Sequence, residues 1–152
     1  LVWPDWAQAL AVFVGCYGFS ILFNIHGKWM VLCVIGGTAT WMIYLLCEAL
    51  GMDVYTMNLY ATIFAALYSE VMARVRRCPV TPYLVIAIFP LLPGAGVYYT
   101  MSLGLQGEML EALRKGLETA GIAGSLAVGI LLVSTVFRLL TAFLARRERK
   151  QA

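Results

Sequence analysis

Charge is what this sequence has least of. Its 11 Lys and Arg and 8 Asp and Glu make up 12% of 152 residues, where a soluble domain carries about a quarter. That shortage excludes an ordinary water-soluble enzyme. Histidine occurs once; His26 sits in a short turn, where its pKa suits proton coupling but a lone ring usually has no such task. Cys16, Cys33, Cys47 and Cys78 stand singly, with no Cys-x-x-Cys pair. Such spacing favours buried packing thiols over metal or redox chemistry. No nucleophile with a base, phosphate-cradling loop or nucleic-acid footprint stands out. The expectation is no enzyme, no metal, no cofactor and no nucleic-acid partner. Residues 1–6 lack a basic region and a small-residue cleavage site, so no signal peptide is expected.

What fills the space is apolar. Hydrophobic residues reach 62% and mean hydropathy is +0.84. A helix needs roughly 20 apolar residues to cross a bilayer core of about 30 Å, which leaves room for about five spans. They are predicted at about 6–23, 29–50, 54–73, 80–105 and 119–144. Trp3 and Trp6 suit an interfacial belt. Residues 107–118 place Leu110, Leu113 and Leu117 on one face, with Glu108, Glu111, Arg114, Lys115 and Glu118 opposite. That pattern predicts an amphipathic interfacial helix. Residues 145–152 read as a basic tail suited to anionic lipid. The fold class is an all-α polytopic membrane protein, a single domain in a lipid bilayer.

Orientation follows from the basic residues. Five alternating spans put Lys28, Arg74, Arg76, Arg77, Arg138, Arg146, Arg147, Arg149 and Lys150 on one side, with Arg114 and Lys115 on the other. The N-terminus is therefore expected outside and the C-terminus in the cytoplasm. Arg138, inside the last span, can snorkel to the nearer surface.

The longest uncharged run, residues 79–107, contains Phe89-Pro90-Leu91-Leu92-Pro93-Gly94-Ala95-Gly96-Val97-Tyr98. Pro90 and Pro93 cannot both lie inside one undisturbed helix, because each removes a donor and clashes with the preceding turn. Gly94 and Gly96 let the backbone bend and let other atoms approach it. In a bilayer such backbone survives only where protein or a water-filled cavity satisfies it. The fourth span is therefore predicted to be broken over Pro90–Gly96. If it starts near Val80, Pro90 lies about 15 Å along it, near the midplane. Pro93 would open the second half-helix, leaving the amides of Gly94, Ala95, Gly96 and Val97 free at a positive helix end. That end suits a small carboxylate, with the Tyr98 and Tyr99 hydroxyls nearby. The alternative is a kink between packed helices.

This motif, with the Arg74-x-Arg76-Arg77-x-Pro79 run and the five-span layout, resembles the threonine/serine exporter family. The likeness is greatest to the small second subunit of its split, two-chain form, and covers about residues 23–144. It implies export of small carboxylate-bearing metabolites: threonine and serine in fused members, succinate in a split system. A larger partner subunit and a bacterial inner membrane are implied as well. An odd number of spans also fits opposed repeats about a midplane site, a common basis for alternating access.

Candidate walls lie on the third span, where Asn58, Thr62, Ala65 or Ala66, and Ser69 recur at helical spacing. They suit a substrate path or a seam between helices equally well. Gly36, Gly37 and Thr40 lean towards a seam. Glu70 is the best intramembrane candidate for a coupling or gating carboxylate, although Arg74 four residues on offers it a helix salt bridge. Glu48 and Asp53 lie near the outer surface and read as solvated. Two rivals to a transporter subunit remain: a structural or assembly subunit, and a channel formed by a homo-oligomer.

Overall fold

The computed structural model describes residues 4–25 and 27–151, with side chains described as far as residue 143. Trp3, His26 and the side chains of the basic tail lie outside the described residues. The rest is helical throughout: α1 (Asp5–Leu22), α2 (Lys28–Ala49), α3 (Val54–Arg76), α4 (Thr81–Ile88), a 3-10 turn (Phe89–Leu91), α5 (Gly94–Leu105) and α6 (Met109–Gln151). The first three expected spans begin and end close to the bounds of α1, α2 and α3, whereas the fifth, expected at about 119–144, lies inside a longer α6.

Each of the first three long helices stops in the same way. Asn24, Gly51 and Arg77 take positive φ just past α1, α2 and α3, and Gly107 does so past α5. In each case the next amide reaches back to the final turn, as in Ile25 N–H to Ser20 O at 2.9 Å and Glu108 N–H to Leu103 O at 3.1 Å. These are Schellman closures, which satisfy carbonyls that water would otherwise have to reach. At the other end of α3, Asp53 accepts from the Tyr55 amide at 3.3 Å.

Helix α3 is the hub. It packs along α6, α2 and α4, while α1 lies mainly on α2 and α5 mainly on α6. Small residues permit the close approaches. A Cβ on Gly37 would stand 2.5 Å from Cys16 Sγ and 3.0 Å from Ile86 O. A Cβ on Gly36 would run into the Tyr68 ring, whose hydroxyl donates to Leu32 O at 2.7 Å. Thr40 is fully buried and donates to Gly36 O at 2.9 Å. The seam reading of Gly36, Gly37 and Thr40 is the one the packing supports. Cys16 and Cys33 sit in a core cluster with Val34, Tyr83 and Ile86, and Cys47 is buried too. They are packing thiols, as expected.

One expectation needs correction. Residues 107–118 do not form a separate interfacial helix. From Met109 onward they are the first turns of α6, which runs 43 residues without interruption. An amphipathic pattern says which way faces point; it does not bend a helix, and no proline lies there to do so. The amphipathic character itself survives, with Leu110, Leu113 and Leu117 exposed on α6. The count of five spans is finer than length and composition alone show. Among the described residues, Asp5–Leu22, Lys28–Ala49 and Met109–Phe143 are long and apolar enough to cross a membrane, with a fourth span if the bent pair counts as one. Helix α3 falls short of that set, although it has 23 residues. Its polar residues Asn58, Thr62 and Ser69 are buried against neighbouring helices. A hub helix does not need a lipid-compatible surface all round.

Candidate functional site

The break forms where the two prolines put it. Helix α4 ends at Ile88, and a 3-10 turn carries Pro90, closed by Leu92 N–H to Phe89 O at 3.3 Å. Pro93 then has φ −79° and ψ 50°, and Gly94 N–H donates to Leu92 O at 2.8 Å across it. That is an inverse γ-turn. Beyond it α5 starts, bent 52° from α4. The bend has a topological consequence: α4 packs on α2 and α3, whereas α5 leaves them for α6.

Leu91 fixes the turn to the bundle. It is 4% exposed and clusters with Ala61 of α3 and Leu126 of α6. Phe89 lies against Phe19 of α1, ring centroids 3.6 Å apart. Trp41 of α2 packs on the Leu91 cluster and stacks on Tyr44 at 4.9 Å. Its Nε1–H is buried without an acceptor. Sequence reasoning missed Trp41; the available signal was a tryptophan at mid-span, away from the interfacial positions where it is common.

The expected four free amides reduce to two. Gly94 is engaged by the γ-turn, and Val97 N–H donates to Pro93 O at 3.1 Å, starting the α5 ladder. Among the described residues, only Ala95 and Gly96 of the four lack a backbone acceptor. The surroundings are one-sided. Gly94 and Ala95 are exposed and α5 buries no residue. A Cβ on Gly94 would meet nothing within 4 Å, whereas one on Gly96 would stand 2.5 Å from Thr119 Oγ1. Tyr98 and Tyr99 meet edge to face at 5.6 Å and both point outward, 68% and 56% exposed. Within one chain, the break is a ledge and not a pocket.

The α3 stripe is elsewhere engaged. Asn58 is 4% exposed and Thr62 fully buried. Asn58 Nδ2 donates to Val54 O at 2.8 Å, Thr62 Oγ1 to Asn58 O at 2.6 Å, and Ser69 Oγ to Ala65 O at 2.7 Å. Thr62 lies against Gly129 of α6, whose added Cβ would meet it at 3.0 Å. These side chains donate within their own helix, and Thr62 lies at the contact with α6. Glu70 pairs with Arg74 at 3.6 Å, its side chain 15% exposed. Arg74 also donates to Thr141 Oγ1 at 3.1 Å and stands 4.5 Å over the Phe137 ring. The pair thus ties α3 to the far half of α6.

No match appears among curated proteins or among solved structures. The sequence does match the family described as Threonine/Serine exporter, ThrE, over residues 8–136. That stretch holds the first two spans, the hub, the break and most of α6. This chain belongs to the threonine/serine exporter family of membrane transporters.

Proposed function

We propose that this chain is the small half of a two-chain exporter of small carboxylate-bearing metabolites, working by alternating access. The substrates in view are amino acids such as threonine and serine, or dicarboxylates such as succinate. The observation that carries the reading is the break: two unpaired amides, at Ala95 and Gly96, open a half-helix midway along an apolar run. A positive helix end of this kind suits a carboxylate, and transporters commonly build sites from discontinuous helices. The ledge lacks walls of its own, which a larger partner subunit or a second copy would supply. Five spans are counted with α3 as a span and the α4–α5 pair as one. The membrane is a bacterial inner membrane, with the N-terminus outside. Lys28 and Arg76 line one cleft, and Arg74 reaches Thr141, so these basic residues gather at one end of the bundle. Glu70 is the carboxylate positioned for coupling, since breaking its pair with Arg74 would loosen α6 from α3.

The test is Gly94→Val. Nothing lies within 4 Å of the added Cβ, so the fold should tolerate it while the amides behind it are screened. Loss of one charge-assisted hydrogen bond, about 1.5–3 kcal/mol, should cut efflux about tenfold or more at subsaturating substrate. The readout is efflux from cells lacking the native exporter, with membrane abundance checked by immunoblot. Undiminished efflux at normal abundance would make the break a kink and favour the assembly-subunit reading.

A further inference from the structure

At the end of the bundle remote from Gly51 and Gly107, the α1–α2 and α3–α4 turns stand side by side. A cleft of about 300 Å³ lies there, lined by Gly27, Lys28, Trp29 and Arg76. Across Trp29 a second cavity, about 210 Å³, runs inward between Cys33, Cys78 and Tyr83. Tyr83 is 1% exposed, and among the described residues the group beside its Oη is the Cys78 thiol, a weak partner, with no oxygen or nitrogen acceptor in reach. A buried hydroxyl in that state is unfavourable unless something arrives to satisfy it.

The charge at the mouth has one sign. Among the described residues neither Lys28 nor Arg76 forms an ion pair, while the neighbouring Glu70 is taken by Arg74. Helix α2 also begins here, and its first turn has no side-chain cap, so its free amides add to the positive field. The outer cleft alone is about ten times a water's share of liquid volume, ~30 Å³. Water can fill it but cannot neutralise it.

We propose that this end of the bundle is a second anion site, separate from the break. A carboxylate or phosphate group would sit between Lys28, Arg76 and the α2 amides, with an acceptor further along the ligand taking the Tyr83 hydroxyl. The site does not depend on the break binding anything. Two sources share this chemistry: a small soluble carboxylate, and the headgroup of an anionic lipid at the membrane surface.

Cys78 reports occupancy because it lines the inner cavity and is only partly buried. The rate of its alkylation by N-ethylmaleimide is read by peptide mass spectrometry on the full chain in nanodiscs. In phosphatidylcholine, succinate at about ten times its dissociation constant should slow alkylation about tenfold, and sodium chloride of equal ionic strength should not. If succinate has no effect but phosphatidylglycerol slows the reaction, the anion is a lipid headgroup. Either result supports the site, provided Lys28→Gln and Arg76→Gln abolish it. Protection by neither anion, or protection that survives both substitutions, would overturn it. Tyr83→Phe should weaken protection while leaving the unliganded melting temperature equal or higher. A fall in that temperature would overturn the part assigned to the hydroxyl. Gly94→Val should leave protection intact, so this proposal and the reading of the break fail separately.

Discussion

Gly94 and Gly96 stand two residues apart and face different surroundings. Gly96 lies against Thr119 of α6, so a side chain there disturbs helix packing whatever the break does. Gly94 faces open space, which makes it the cleaner probe of the two. Gly37 is a residue of the first kind. A Cβ there would press on Cys16 Sγ and on the Ile86 carbonyl, and the backbone atom cannot swing away. Gly37→Val should therefore destabilise the bundle by about 1–3 kcal/mol or more, the usual cost of overpacking. Unfolding of the purified protein in mixed micelles with increasing SDS would measure it. An unchanged midpoint would mean that α1, α2 and α4 do not pack this closely.

Helix α6 is where the structure departs most from its sequence pattern. Its first turns look like a surface helix, with the Lys115–Glu118 pair at 2.9 Å on the polar side. They nonetheless run straight into the apolar span, because nothing between Met109 and Phe143 obliges the ladder to stop. Spin labels at Leu110 and Val128, both exposed, would distinguish the two geometries. A continuous helix puts 18 rises of 1.5 Å between them, about 27 Å; a right-angle bend near residue 118 gives about 19 Å. The longer distance is expected. The break between α4 and α5 is the opposite case, since Pro90 and Pro93 interrupt the ladder covalently and only the direction of the bend is left to packing.

At the scale of the molecule, orientation and incompleteness are the properties open to measurement. In a background without the native cysteines, Met52→Cys should react with an impermeant thiol reagent on intact cells, and Lys28→Cys should not. The reverse labelling would invert the topology. Among the described residues, helix α5 rests mainly on α6 and buries none of its own residues. Its outward face, with Tyr98, Tyr99, Met101 and Leu105, is exposed in the single chain. Extracted with native lipids, the protein should run with a larger partner or as an oligomer. Transport by a reconstituted monomer would remove the need for either.

Membrane class, the positions of the first three helices, the basic end and the site of the break were legible in the residues. Each is set by local or covalent facts: apolar runs long enough to cross a bilayer, prolines without N–H, lysines and arginines near the turns. The tertiary structure alone decided which side of the break is bare, that Thr62 lies against Gly129 of α6, and that Trp41 lies beside Leu91. It also decided that Tyr83 ends in a cavity. These depend on contacts between residues far apart in the chain, such as Thr62 with Gly129 and Leu91 with Ala61 and Leu126. A helical period announces that a face exists, but what covers that face is settled only when the helices pack.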